Sequence, residues 1–165
     1  MYEVKEILRV ESKIIGYVLS TTFIENRQAG EIPPFFHRIM EADSFTSMPN
    51  RLNNNQICLF DKKPDSPNFD YYMGVEVEAD NEVPEGMKEF IIPEGRYAVT
   101  KFIKTGNIDV MQALKYVMDK WIPENNQKQN HSKPVFVCYD EKFIEIYRTI
   151  GYKGSPVAEL YIPLV

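Results

Sequence analysis

The segment AELYIPL at 158–164 sets one carboxylate among apolar residues. By strand alternation Glu159 shares a face with Tyr161 and stands opposite Leu160 and Ile162. A carboxylate beside an electron-rich ring suits a lipophilic cation, through Coulomb and cation–π attraction. The same Glu also reads as an exposed residue on a sheet edge. Tyr72, Tyr97, Trp121, Tyr139 and Phe36 complete an aromatic set on segments expected to flank a groove. Tyrosine pairs an apolar ring with a hydroxyl, which eases desolvation of a partly polar ligand. Each of these aromatics reads as core as well.

Other chemistries leave no trace. There is no GxSxG, HExxH or Walker loop, so no nucleophile-plus-base set is assigned. His37 and His131 stand alone, as do Cys58 and Cys138, and none has metal-ligand spacing. No metal and no cofactor are expected. The cysteines are in no CxxC spacing and read as reduced thiols of a cytoplasmic protein.

The elements that must position these residues centre on Phe69–Gly106. Tyr71, Met73, Val75 and Val77 alternate with Tyr72, Gly74, Glu76 and Glu78, which predicts a strand. A charged turn over ADNEVPEG leads to Phe90–Ile92, and Pro93-Glu94-Gly95 turns into a strand through Tyr97, Val99 and Phe102. Strands are also predicted over 2–10, 14–19, 56–60, 134–139 and 158–164. Residues 20–30 read as a polar loop, and Pro33 and Pro34 suit the first turn of a short helix carrying Phe35, Phe36, Ile39 and Met40. A helix over 107–121 follows from Ile108, Met111, Leu114, Val117, Met118 and Trp121, with Asn107 as its cap. Residues 140–156 carry at most a short helical turn around 142–147.

The two halves echo each other. Lys5-Glu6-Ile7-Leu8 returns as Lys88-Glu89-Phe90-Ile91, and ICLFD at 57–61 as FVCYD at 136–140. The expectation is one α+β domain over 1–165, a duplicated β-α-β-β unit with half-repeats at about 1–80 and 86–165. Its antiparallel sheet would carry two helices, with a ligand groove at the pseudo-twofold.

YYMGVEV, VPEGM, IPEGRYAV and the terminal ELYIP, in that order, resemble the GyrI-like effector-binding family. These are the ligand domains of AraC- and MerR-type multidrug regulators, some of which stand alone. The resemblance spans roughly 3 to 165 and implies a small-molecule ligand, lipophilic, aromatic or cationic. It implies a sensor or a sequestering protein without its own DNA-binding module, since the domain begins at residue 2 or 3. Members carry acidic and tyrosine residues in the last strand, matched here by Glu159 and Tyr161. They also carry a Glu after the Phe of a Phe-Glu-x-Tyr pattern, which here reads Phe136-Val137-Cys138-Tyr139. Val137 thus removes an acid, and Glu145 is a candidate to replace it. Relatives that hydrolyse cyclopropane-containing toxins imply an alternative in which Glu159 is acid or base and Tyr161 holds the electrophile. Gyrase-inhibitor relatives imply a third, with a protein partner. The chain is read as a monomer or homodimer.

Charge and hydropathy bound the partners. The net charge is −5 and the pI about 5.2, the wrong sign for a phosphate backbone. No apolar run approaches the roughly 20 residues of a membrane span. At physiological salt a gel shift with duplex DNA is expected to show no tight, sequence-dependent complex.

Overall fold

The computed structural model describes residues 2–106 and 108–165. Eight strands run in chain order: β1 (Val4–Arg9), β2 (Ser12–Thr22), β3 (Gln56–Lys62), β4 (Asn68–Val77), β5 (Lys88–Ile92), β6 (Gly95–Ile103), β7 (Val135–Tyr139) and β8 (Val157–Pro163). They form one antiparallel sheet in the order β1-β6-β8-β7-β3-β4-β2-β5. Three helices accompany it: α1 (Arg27–Glu41), α2 (Ile108–Tyr116) and α3 (Glu141–Ile150). A π-helical turn, Val117–Trp121, and a last turn, Ile122–Glu124, extend α2. The fold is α+β, as the alternating and helical patterns predict.

The strand order reads the same from either end once β1, β2, β3 and β4 are matched to β5, β6, β7 and β8. The registers agree with that match. Arg9 of β1 pairs with Gly95 of β6, and Ile92 of β5 pairs with Ser12 of β2. At the centre Cys58 of β3 pairs with Val137 of β7, so the pseudo-twofold passes between these two residues.

Each half lends its first strand to the other. Only Val10 and Glu11 separate β1 from β2, yet β1 pairs with β6. Only Pro93 and Glu94 separate β5 from β6, yet β5 pairs with β2. The sheet must therefore curl. In a flat sheet β1 and β4 would lie five strand spacings apart, roughly 24 Å. Instead Arg9 of β1 reaches Glu76 of β4 at 2.9 Å. Its guanidinium covers the rings of Phe136 and Tyr161, 5.1 and 5.5 Å from their centroids.

The inner face of the curl is an apolar core around Ile14, Leu59, Ile92, Tyr97 and Phe136. The outer face packs under the helices through Ile15, Met73, Val75, Val137, Leu160 and Ile162. Two glycines face each other on the inner side, Gly16 of β2 against Gly74 of β4. A Cβ on Gly16 would run into the Met73 carbonyl and the Gly74 Cα. That pair lets the two strands approach where the sheet bends most.

Two sequence expectations change. Among the described residues there are three helices, not two. Asp140 caps α3 by accepting from the Phe143 amide at 2.8 Å, and Phe143, Ile144 and Tyr147 bury its inner face. Helix α1 starts at Arg27, so Pro33 and Pro34 lie inside it rather than in its first turn. The carbonyls they leave without a donor belong to Ala29 and Gly30, both exposed, where water can serve. The Asn107 cap lies outside the described residues.

Substituting Gly16→Ala is expected to lower unfolding free energy by about 1–3 kcal/mol, the cost of overpacking a close strand contact. Urea denaturation of the two proteins measures it. An unchanged midpoint would show that the approach is not tight.

Candidate functional site

Helix α1 packs on β2 and β4 of the first half, and α2 on β6 and β8 of the second. Between them, over the pseudo-twofold, a cleft of about 650 Å³ opens on the outer face. Ile32, Pro33 and Phe36 form the α1 wall, and Val110, Leu114 and Met118 the α2 wall. The α2 residues recur every four positions, which keeps them on one face through the π-helical turn. Phe60, Tyr71, Tyr139 and Leu160 make the floor. Phe23 stacks on Phe69 at the mouth, centroids 4.7 Å apart.

The floor is buried and largely preset. Phe36 meets Tyr139 edge-on at 5.2 Å and Tyr147 at 5.8 Å. Burial, with the Cys58 thiol beside them, pushes the Tyr71 and Tyr139 hydroxyls well above the phenolic range. His37 accepts or donates at Nδ1 with the Tyr147 hydroxyl at 2.6 Å, tying α1 to α3. It packs rather than reaching the cleft.

The residues expected to line a groove divide between the two faces of the sheet. Phe36 and Tyr139 line the cleft. Tyr72, Tyr97 and Tyr161 belong to the inner core instead. The Tyr97 hydroxyl donates to the Pro93 carbonyl at 2.8 Å, bracing one crossover link. Tyr161 stacks on Phe136 at 4.5 Å, and burial, then Glu159, push its hydroxyl up to about 12. Glu159 is half-buried on that same inner side, opposite Cys138 of β7 and Lys101 of β6. Trp121 is half-buried against the outer core on the π-helical turn. Glu145 is exposed on α3. Val137, where the resemblance implies a Glu, is fully buried in the outer core at the twofold.

One residue of the cleft escaped the sequence reading. Lys104 follows β6 in what reads as a polar turn, KTG. It continues the alternation of Ala98, Thr100 and Phe102, which points it to the helix side. It is 5 % exposed. Its Nζ donates to the Gly106 carbonyl at 2.7 Å and lies 4.9 Å from the Phe36 centroid. Burial depresses its pKa. Among the described residues no group of three metal-ligating side chains converges, and no helix is long and apolar enough to cross a membrane.

Comparison with known proteins accords with this geometry. Residues 10–164 match the family described as Cass2, integron-associated effector binding protein. The chain belongs to the Cass2 family. No curated protein sequence matches it. Its fold is shared with SAV2435, solved bound to tetraphenylphosphonium, at TM-score 0.71 and 13% identity, covering 100% of this chain and 94% of that one. It is shared with the C-terminal domain of EcmrR at 0.68 and 14% identity, covering 100% and 98%. The integron cassette protein VCH_CASS2 of Vibrio cholerae aligns at 0.57 and 13% identity, covering 99% and 97%.

The thiols of this Cass2 member are poor nucleophiles. Burial pushes Cys58 up to about 12, and Cys138 likewise. Because the folded state holds the Cys58 proton above the ordinary thiol value of about 9.0, the unfolded state releases it first. Stability therefore falls as pH rises past about 9. Lys104, with its depressed pKa, acts in the opposite direction, so a variant isolates the thiol. Between pH 7 and pH 10, Cys58→Ala is expected to lose about 1.4 kcal/mol less stability than the wild type. Urea unfolding at both pH values measures the difference, and parallel losses would refute it.

Proposed function

We propose that this protein binds apolar, aromatic small molecules in the cleft between α1 and α2, as a ligand sensor or a sequestering protein. The carrying observation is a cleft of about 650 Å³ walled by apolar side chains of both halves. That volume falls within the roughly 300–1,000 Å³ common for small-molecule sites. Membership of an effector-binding family supports the reading. Tetraphenylphosphonium in SAV2435, a cation carrying four aromatic rings, supports only the aromatic part of the reading. The floor rings of Phe60, Tyr71 and Tyr139 offer edges and faces for stacking.

Glu159 and Tyr161, the pair that a hydrolytic reading would use, sit across the sheet from this cleft. No arrangement in the cleft offers them a substrate held between its walls. Binding without turnover is the simpler account of a site whose floor is rings.

Nile red, neutral and apolar, is expected to bind the wild type saturably with a rise in fluorescence. Leu114→Glu puts a charge on the half-buried cleft face of α2. It should weaken the dye at least tenfold, about 1.4 kcal/mol, while the circular dichroism stays unchanged. If the wild type binds neither Nile red nor other neutral polycyclic aromatics, the proposal fails.

A further inference from the structure

We infer that the ligand of the cleft carries a carboxylate, and that Lys104 is the residue that reads it. This rests on the cleft being the ligand site. The charged side chains lining the cleft are Asp61, Lys62, Lys104 and Lys133, three cations and one anion. Lys62 is exposed, Lys133 and Asp61 are half-buried, and Lys104 alone is buried.

A buried ammonium needs a counter-charge or a full set of acceptors. Among the described residues Lys104 has one acceptor, the Gly106 carbonyl, and no carboxylate within ion-pair distance. The nearest help is from rings, with Nζ 4.9 Å from the Phe36 centroid and 5.6 Å from that of Tyr152. Asp109, the acid closest in sequence, acts on Lys104 only through space, without ion-pair contact. Its carboxylate accepts from the Thr105 amide at 2.9 Å and the Thr105 hydroxyl at 3.0 Å.

The duplication sharpens the point. The match that equates Lys5 with Lys88, and the registers Arg9–Gly95 and Ser12–Ile92, equate Thr21 with Lys104. Thr21 is equally buried, and its hydroxyl donates to Glu31 of α1 at 2.6 Å. The first half thus supplies its own carboxylate at this position. The second half has a cation there with no carboxylate partner, beside an apolar cleft large enough for a ligand. A carboxylate entering the cleft completes in the second half what Glu31 provides in the first. A cationic ligand would meet an ammonium instead.

Three probes of one shape test this by calorimetry: naphthalene-2-carboxylate, naphthalene-2-carboxamide and 2-naphthylmethylammonium. The wild type is expected to bind the carboxylate about tenfold tighter than the amide, and the ammonium most weakly. Lys104→Met should bring carboxylate and amide together while leaving the amide unchanged. Should Lys104→Met fail to fold, Lys104→Gln keeps a donor for the Gly106 carbonyl and makes the same comparison. Equal binding of the three probes, or tightest binding of the ammonium, overturns the inference and leaves the cleft assignment standing. So does a preference that survives in Lys104→Met but vanishes in Lys62→Gln or Lys133→Gln. If neither Nile red nor any naphthalene binds, the cleft assignment itself falls, and this inference with it.

Discussion

Two links of two residues each set the shape of this protein. Val10-Glu11 and Pro93-Glu94 are too short to let β1 and β5 wander, yet each of these strands pairs in the other half. The only sheet that satisfies both links is one bent so that its ends approach. The Arg9–Glu76 ion pair spans that bend, with side chains 18% and 13% exposed. Half-buried, it gains more than a surface pair would, and stacking on Phe136 and Tyr161 desolvates the guanidinium without leaving it alone. The Gly16–Gly74 pair removes the side chains that would resist the bend.

The bend assigns different tasks to the two faces. Inside the curl, rings lock one another: Tyr97 against Phe136 at 5.6 Å, Phe136 against Tyr161 at 4.5 Å, Tyr72 against Phe90 at 5.3 Å. Such interlocked packing leaves little room for a guest. Outside, each helix covers its own half, and the seam over β3 and β7 is left between them. The cleft is a consequence of covering a wide sheet with two separate helices, so its floor is the twofold itself. Cys58 and Val137 pair at that point with no charge between them.

Much of this was legible in the sequence. Alternation and short apolar runs marked the strands, the KEIL and KEFI echo marked the duplication, and helical spacing marked α2. The strand exchange was not legible, because period two says which residues share a face and not which strand lies alongside. Parity then decided which side chains line the outer cleft. Tyr71 and Leu160 face the helices, whereas Tyr72, Glu159 and Tyr161, one residue away, face the inner core. The aromatic set was read for its chemistry before its faces were assigned, so it mixes the two. Helix α3 was underread because its signals, the Asp140 cap and the Phe143-Ile144-Tyr147 stripe, span only about two turns. Lys104 was missed because charge next to glycine looks like a turn, although it keeps the parity of β6.

A duplicated fold begins with two equal halves, and a site needs them to differ. Here the differences fall where strand equivalence can be followed pair by pair. Gly16 opposite Gly74 in the first half corresponds to Val99 opposite Tyr161 in the second. The space left by the first pair is where the sheet bends, and the bulk of the second fills the inside of that bend. Thr21, satisfied by Glu31, corresponds to Lys104, which lacks a carboxylate partner among the described residues. The first asymmetry shapes the inner core and the second places a charge at the edge of the outer cleft. Because the two act on opposite faces of one sheet, the packing that holds the curl and the charge that lines the cleft can change independently. What SAV2435, the EcmrR domain and VCH_CASS2 share with this chain at 13–14% identity is that sheet and its helices.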